Sequence, residues 1–223
     1  MNPGPYVKVC CIASIEEAEI AVQLGASALG LVSAMPSGPG VIAEAEISAI
    51  ARSVPPPIAT FLLTARTTAE EIVAQHQRCG TSTLQLVDAV DPSELQKLRQ
   101  ALPGIKLVQV ILVRGEDSLA RALLVATFVD ALLLDSGNQQ LEVKELGGTG
   151  RVHDWTMSRR IRDESAVPLF LAGGLTAANV TKAIDVVKPH GVDLCSGVRT
   201  NGSLDPDKLH SFISAVRATG SPG

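Results

Sequence analysis

Eight times along this chain of 223 residues a short apolar run is followed by a stretch with helical periodicity. The runs predict strands over Val7–Ile12, Ala28–Val32, Ile58–Leu63, Thr83–Leu86, Lys106–Val113, Ala131–Leu134, Pro168–Ala172 and Gly191–Cys195. Helices are predicted over Ile15–Leu24, Ala43–Arg52, Thr68–Arg78, Ser93–Leu102, Asp117–Ala126, Ala178–Val187 and Asp207–Ala218, with one more capped by Asp154 and running to Arg162. Gly25 closes the first helix and Pro55-Pro56-Pro57 stops the second. Strands that are apolar throughout, rather than alternating, belong to a parallel sheet covered by helices. Eight such units exceed the usual open doubly wound sheet, so the expected fold is a single-domain α/β protein, a closed (β/α)8 TIM barrel. The barrel is expected over residues 7–219, after a leader at 1–6 and before a tail at 220–223.

Composition narrows the function. A formal charge of −4, from 19 basic and 23 acidic residues, supplies no electrostatic footprint for nucleic acid. No stretch reaches the length of an apolar membrane span, and the start lacks a basic segment followed by an apolar one. Cys10, Cys11, Cys79 and Cys195 show neither zinc spacing nor a CxxC pair. A reduced, cytoplasmic protein without metal or cofactor is expected, with a small molecule as its partner and a monomeric or homodimeric state.

In a barrel of this kind chemistry sits at the C-terminal ends of the strands. Gly173-Gly174 follow the seventh strand and Ser196-Gly197-Val198 the eighth, the two positions where such barrels hold phosphate. Glycines there let backbone N–H groups approach an anion, although turn glycines fit the same places. A denser run, Gly147-Gly148-Thr149-Gly150, follows the sixth strand and reads as a lid or as a third wall of a phosphate site through Gly148 and Gly150. Asp135 ends the sixth strand and is either a rim acid or the start of a turn with Ser136 and Gly137. Cys10 near the end of the first strand is either a small hydrophobe or a reactive thiol. Lys8 shares its face and points into the barrel, where it needs an anion. Cys11, one residue on, is expected to face the helices. Gln85 and Asp88, at and after the fourth strand, are further rim candidates, while Asp91 suits a helix cap.

Taken in order, these motifs resemble the phosphoribosylanthranilate isomerase family of tryptophan biosynthesis. The family's K-[IV]-C-G-[IL]-T is matched by Lys8-Val9-Cys10-Cys11-Ile12-Ala13, and its G-A-D-A-[LIV]-G-[FL] by Gly25 to Leu31. Leu133-Leu134-Asp135-Ser136, Gly147 to Gly150 with His153-Asp154-Trp155, Leu171 to Leu175 with Asn179-Val180, and Gly191 to Leu194 with Ser196-Gly197-Val198 match the rest. The resemblance implies Cys10 as general base and Asp135 as general acid in an Amadori rearrangement of a phosphoribosylated aromatic amine. It also implies that Gly173, Gly174, Ser196, Gly197 and Val198 hold the substrate phosphate. Related phosphosugar isomerases and a non-catalytic phosphate-ligand binder share the same expected barrel. The chain departs from the pattern in four places. The family's P-[KR]-S-P-R is Pro36-Ser37-Gly38-Pro39-Gly40, its Q-L-H-G is Gln85-Leu86-Val87-Asp88, the glycine after the cysteine is Cys11, and S-G-V-E ends in Arg199. With the loop arginine gone, Arg199, Arg151 or Arg66 is left to meet an aromatic carboxylate.

Overall fold

The computed structural model describes residues 4–36, 38–136 and 154–220. Eight parallel strands close into a barrel in chain order: β1 Tyr6–Val9, β2 Ala28–Val32, β3 Ala59–Thr64, β4 Thr83–Leu86, β5 Lys106–Leu112, β6 Ala131–Asp135, β7 Leu169–Leu171 and β8 Gly191–Leu194. Eight helices cover them: α1 Ile15–Leu24, α2 Glu44–Ser53, α3 Ala69–Cys79, α4 Pro92–Ala101, α5 Glu116–Ala126, α6 Trp155–Glu164, α7 Val180–Val187 and α8 Pro206–Ala218. The predicted (β/α)8 architecture is the observed one. No helix among the described residues is long and apolar enough to cross a membrane.

The period of two along each strand divides the core. In β2, Leu29 and Leu31 face the helices, while Ala28 and Val32 join the barrel interior with Phe61, Leu63, Val108, Val110, Leu133 and Phe170. The chain has one Trp, one Tyr and four Phe, and aliphatic layers fill most of such an interior. Phe61 and Phe170 still meet edge-on, with centroids 6.0 Å apart. The same parity sends Cys10, Gln85, Asp135 and Ala172 inward at the top of their strands.

Three expectations need correction. Tyr6, expected in the leader, already pairs with Gly191 of β8. The first strand was expected to reach Ile12 but ends at Val9. Cys11 takes a left-handed backbone, with φ 64°, which breaks the alternation and turns its side chain into the barrel instead of toward the helices. Asp91 occupies the N-cap position of α4 without a side-chain capping bond. After β8 the chain forms a short 3-10 turn over Ser196–Val198 and a hairpin of two-residue strands, β9 Arg199–Thr200 and β10 Ser203–Leu204, neither of which periodicity reveals.

A polar clamp joins this hairpin to the turn after β1. Glu17 of α1 accepts hydrogen bonds from the backbone N–H of Ala13 at 3.0 Å and of Leu204 at 2.9 Å, and forms an ion pair with Arg199 at 2.9 Å. Burial disfavours the Glu17 carboxylate, yet Arg199 and the two N–H donors outweigh that and hold its pKa below the ordinary glutamate value. A depressed folded-state pKa means that the stabilisation is complete above the unfolded value of about 4.3 and is lost as pH falls through the folded one. Glu17→Gln should therefore lower stability at neutral pH by about 2 kcal/mol, roughly 4–8 °C in Tm. Tm profiles of variant and parent should then draw together as pH falls below the unfolded value and meet once it has passed the depressed folded one. A gap that stays constant down through the acid range would show that the carboxylate charge is not what stabilises the clamp.

Candidate active site

One cavity opens at the C-terminal mouth of the barrel. Its wall includes Cys10 and Cys11 after β1, Gln85 on β4, Asp135 on β6, Gly173 and Gly174 after β7, and Asp193, Cys195 and Ser196 from β8 and beyond. Cys10 and Asp135, 125 positions apart in sequence, thus face one space, at 7% and 8% exposure. Asp135 Oδ1 also accepts from the backbone N–H of Ser136 at 2.7 Å.

Beneath Cys10 lies the charge that the sequence left without a partner. Lys8 is fully buried, and its Nζ donates to Asp193 Oδ1 at 2.8 Å across the β1–β8 seam, where Lys8 and Asp193 stand in register. Burial opposes the ammonium, but neighbouring negative charge, the Asp193 carboxylate foremost, more than offsets it and holds the Lys8 pKa above its ordinary value. Burial pushes the Asp193 carboxyl up, opposed by Lys8. The Lys8 ammonium also lies 5.2 Å from the centre of the Phe61 ring, a cation–π contact. Gly30 on β2 makes this crowding feasible. A Cβ there would stand 2.8 Å from Cys10 Sγ and 3.0 Å from Lys8 Nζ.

The expected phosphate loops come together. Gly173 and Gly174 both have positive φ, 86° and 63°, a turn that glycine adopts without strain. Asn179, just before α7, ties the loop down by donating to Gly174 O at 2.9 Å while its Oδ1 accepts from Thr176 N at 2.8 Å. The second loop packs directly on the first, since a Cβ on Gly197 would come within 2.2 Å of Leu175 O. Gly173, Gly174 and Ser196 line the cavity; Gly197 and Val198 lie behind it, and Val198 is buried.

Other expectations fare differently. Gln85 lines the cavity, and its Oε1 is buried without a hydrogen-bond partner among the described residues. Such an acceptor favours a ligand that brings a donor. Asp88 lies outside the lining, with Oδ1 accepting from the N–H of Ala89 at 2.8 Å. Arg199 is not aimed into the cavity: its guanidinium binds Glu17, Gly202 O and Cys11 O. It organises the turn after β1, which corrects its expected role as a pocket cation. Arg66 is partly exposed beside Glu71. Gly148, Gly150, Arg151 and His153 fall outside the described residues.

Sequence reasoning missed Cys11, Cys195, Met35, Gly38 and Pro39 as wall residues. A signal for Cys11 was present, because the motif it departs from carries glycine there, the residue suited to a left-handed backbone. Asp193 was also within reach, since an inward lysine on one strand needs an anion on a neighbouring one.

The family model described as N-(5'phosphoribosyl)anthranilate (PRA) isomerase matches residues 7–215. N-(5'-phosphoribosyl)anthranilate isomerase 2 of Methanosarcina mazei is 36% identical over 213 residues, covering 95% of this chain and 93% of the relative. The crystal structure of phosphoribosyl anthranilate isomerase from Thermotoga maritima superposes with a TM-score of 0.83 at 29% identity, covering 96% of this chain and 99% of that one. A phosphoribosyl anthranilate isomerase crystallised with reduced 1-(o-carboxyphenylamino)-1-deoxyribulose 5-phosphate gives a TM-score of 0.80 at 27% identity, covering 96% and 99%.

Proposed function

The chain belongs to the N-(5'-phosphoribosyl)anthranilate isomerase family, an enzyme of tryptophan biosynthesis, and from this we propose that Cys10 is its general base and Asp135 its general acid. The observation that carries the assignment is their place in one cavity together with the Gly173-Gly174 and Ser196 loops. The reaction converts an aminoaldose into a 1-amino-ketose, which requires one proton delivered to oxygen and one removed from carbon.

Asp135 delivers its proton to the ribose ring oxygen, so the ring C–O bond breaks and the nitrogen lone pair forms the imine. Cys10, as thiolate, removes the proton from the adjacent sugar carbon, and those electrons form the enolamine. Tautomerisation of the enolamine gives the ketone. The bound phosphate fixes the other end of the sugar, so that the two reacting groups work on a held substrate. Backbone N–H groups at Gly173, Gly174, Ser196 and Gly197 suit that anion, with Val198 supporting the loop from beneath. Gln85 Oε1 accepts a bond from a sugar hydroxyl or from the substrate N–H. The product analogue bound by the solved relative carries both a phosphate and an opened sugar, in keeping with this arrangement.

Supplying this chain to a host that lacks the isomerase, in medium without tryptophan, tests the reading directly. Growth is expected. Absence of growth despite soluble expression would count against it.

A further inference from the structure

Three of the four cysteines meet at the cavity, and the proposed chemistry uses only one of them. Cys11 and Cys195 come from opposite sides of the β1–β8 seam. Val9 pairs with Leu194, and Cys10 N–H donates to Leu194 O at 2.8 Å, so the two chains still run side by side where the thiols emerge. Adjacent strands lie about 4.8 Å apart, inside the Cα separation of roughly 4.4–6.8 Å that a disulfide spans. The left-handed turn at Cys11 directs its sulfur across the seam, to 2.7 Å from Cys195 Sγ.

Room for Cys11 comes from a second departure. A Cβ on Gly40 would stand 2.5 Å from Cys11 Cβ, so a side chain at position 40 and one at position 11 exclude each other. The motif of the first strand has glycine where this chain has Cys11, and the loop motif has arginine where this chain has Gly40. With glycine at position 40, Cys11 has the space to set its thiol opposite Cys195. Arg199 holds the turn in place through Cys11 O.

We propose that Cys11 and Cys195 form a peroxide-reactive dithiol, a site of reversible disulfide formation in the active-site wall. Cys195 is the attacking sulfur. It is the more exposed of the two, and its contact with Cys11 at 2.7 Å, aided by the Arg199 charge, holds its pKa below the ordinary thiol value. Hydrogen bonds with Cys10 and Cys195, together with burial, push the Cys11 thiol up, which keeps it protonated. The Cys195 thiolate attacks one oxygen of a hydroperoxide. An S–O bond forms, the O–O bond breaks, and the leaving oxide takes a proton, giving a sulfenic acid. Cys11 then loses its proton and attacks that sulfur, so the S–S bond forms and water leaves. Two thiols are oxidised by two electrons, and hydrogen peroxide is reduced to two waters.

The full chain, first reduced and then treated with a small excess of hydrogen peroxide, tests this by alkylation under denaturing conditions and mass spectrometry of a tryptic digest. Two of the four thiols should disappear, and the fragment at residues 9–52 should appear linked to that at 183–199. Dithiothreitol should reverse the link. Fragmentation between Cys10 and Cys11 should place the bond on Cys11 in the unmutated protein, a result that needs no variant to fold. Cys10→Ala should keep the link and Cys195→Ser should abolish it, each variant being checked by its thermal melt. Four surviving thiols, a bond placed on Cys10, or loss of two thiols in Cys195→Ser would each overturn the proposal. None of these readings uses turnover, so they stand or fall apart from the isomerase roles.

Discussion

Replacing Cys10 by alanine is expected to lower kcat/KM by about 10²–10⁴-fold, the range contributed by a positioned general base. Asp135→Asn is expected to fall in the same range, because the amide preserves the shape of the carboxyl but has no proton to deliver to the ring oxygen. The proposed phosphate loops are untouched by either change, so KM should move little and the loss should sit in kcat. The double variant should be barely worse than the poorer single one, since the two groups serve one sequence of proton transfers. Steady-state kinetics of the purified variants, each with its native melting temperature checked, measure all of this. Full activity in either single variant removes that residue from its role.

The largest stability effect is expected from Lys8→Met. The substitution fills nearly the same volume but leaves the Asp193 carboxyl, itself 7% exposed, without its ion-pair partner. Breaking a buried pair from one side costs about 3–5 kcal/mol, or roughly 6–20 °C in Tm for a domain of this length. Pairing Lys8→Met with Asp193→Leu should recover much of that loss, because the stranded carboxyl disappears with its partner. Thermal denaturation of the two single variants and the double variant completes the cycle. If Lys8→Met melts with the parent, the ion pair is not a structural requirement.

Most of the barrel was legible because each strand is an apolar run ended by glycine, proline or a capping residue, and strands and helices of these lengths leave little choice of architecture. Cys10, Asp135 and the two glycine loops were legible for a related reason, since a barrel confines chemistry to the tops of its strands. What periodicity could not show was local conformation at single residues. An apolar sequence continues through Cys10-Cys11-Ile12, but strand geometry stops at Val9. Arg199 reads as a spare cation until its neighbours in space are known, and Glu17, which binds it, lies 182 positions away. The partner of Lys8 is 185 positions away, and only once the barrel is closed does β8 become the neighbouring strand on which to look for it.

That closure has a kinetic meaning. The pairing of β1 with β8 joins the most distant parts of the chain, and contacts of long sequence separation bear the largest loop-closure entropy on folding. The proposed base, the ion pair beneath it and one of the two proposed phosphate loops all sit on this seam. Units in the middle of the chain can meet their neighbours early, yet none of them assembles the reaction centre. Turnover is consequently expected to report folding late, gained when the ring shuts and lost when the ends of the chain part.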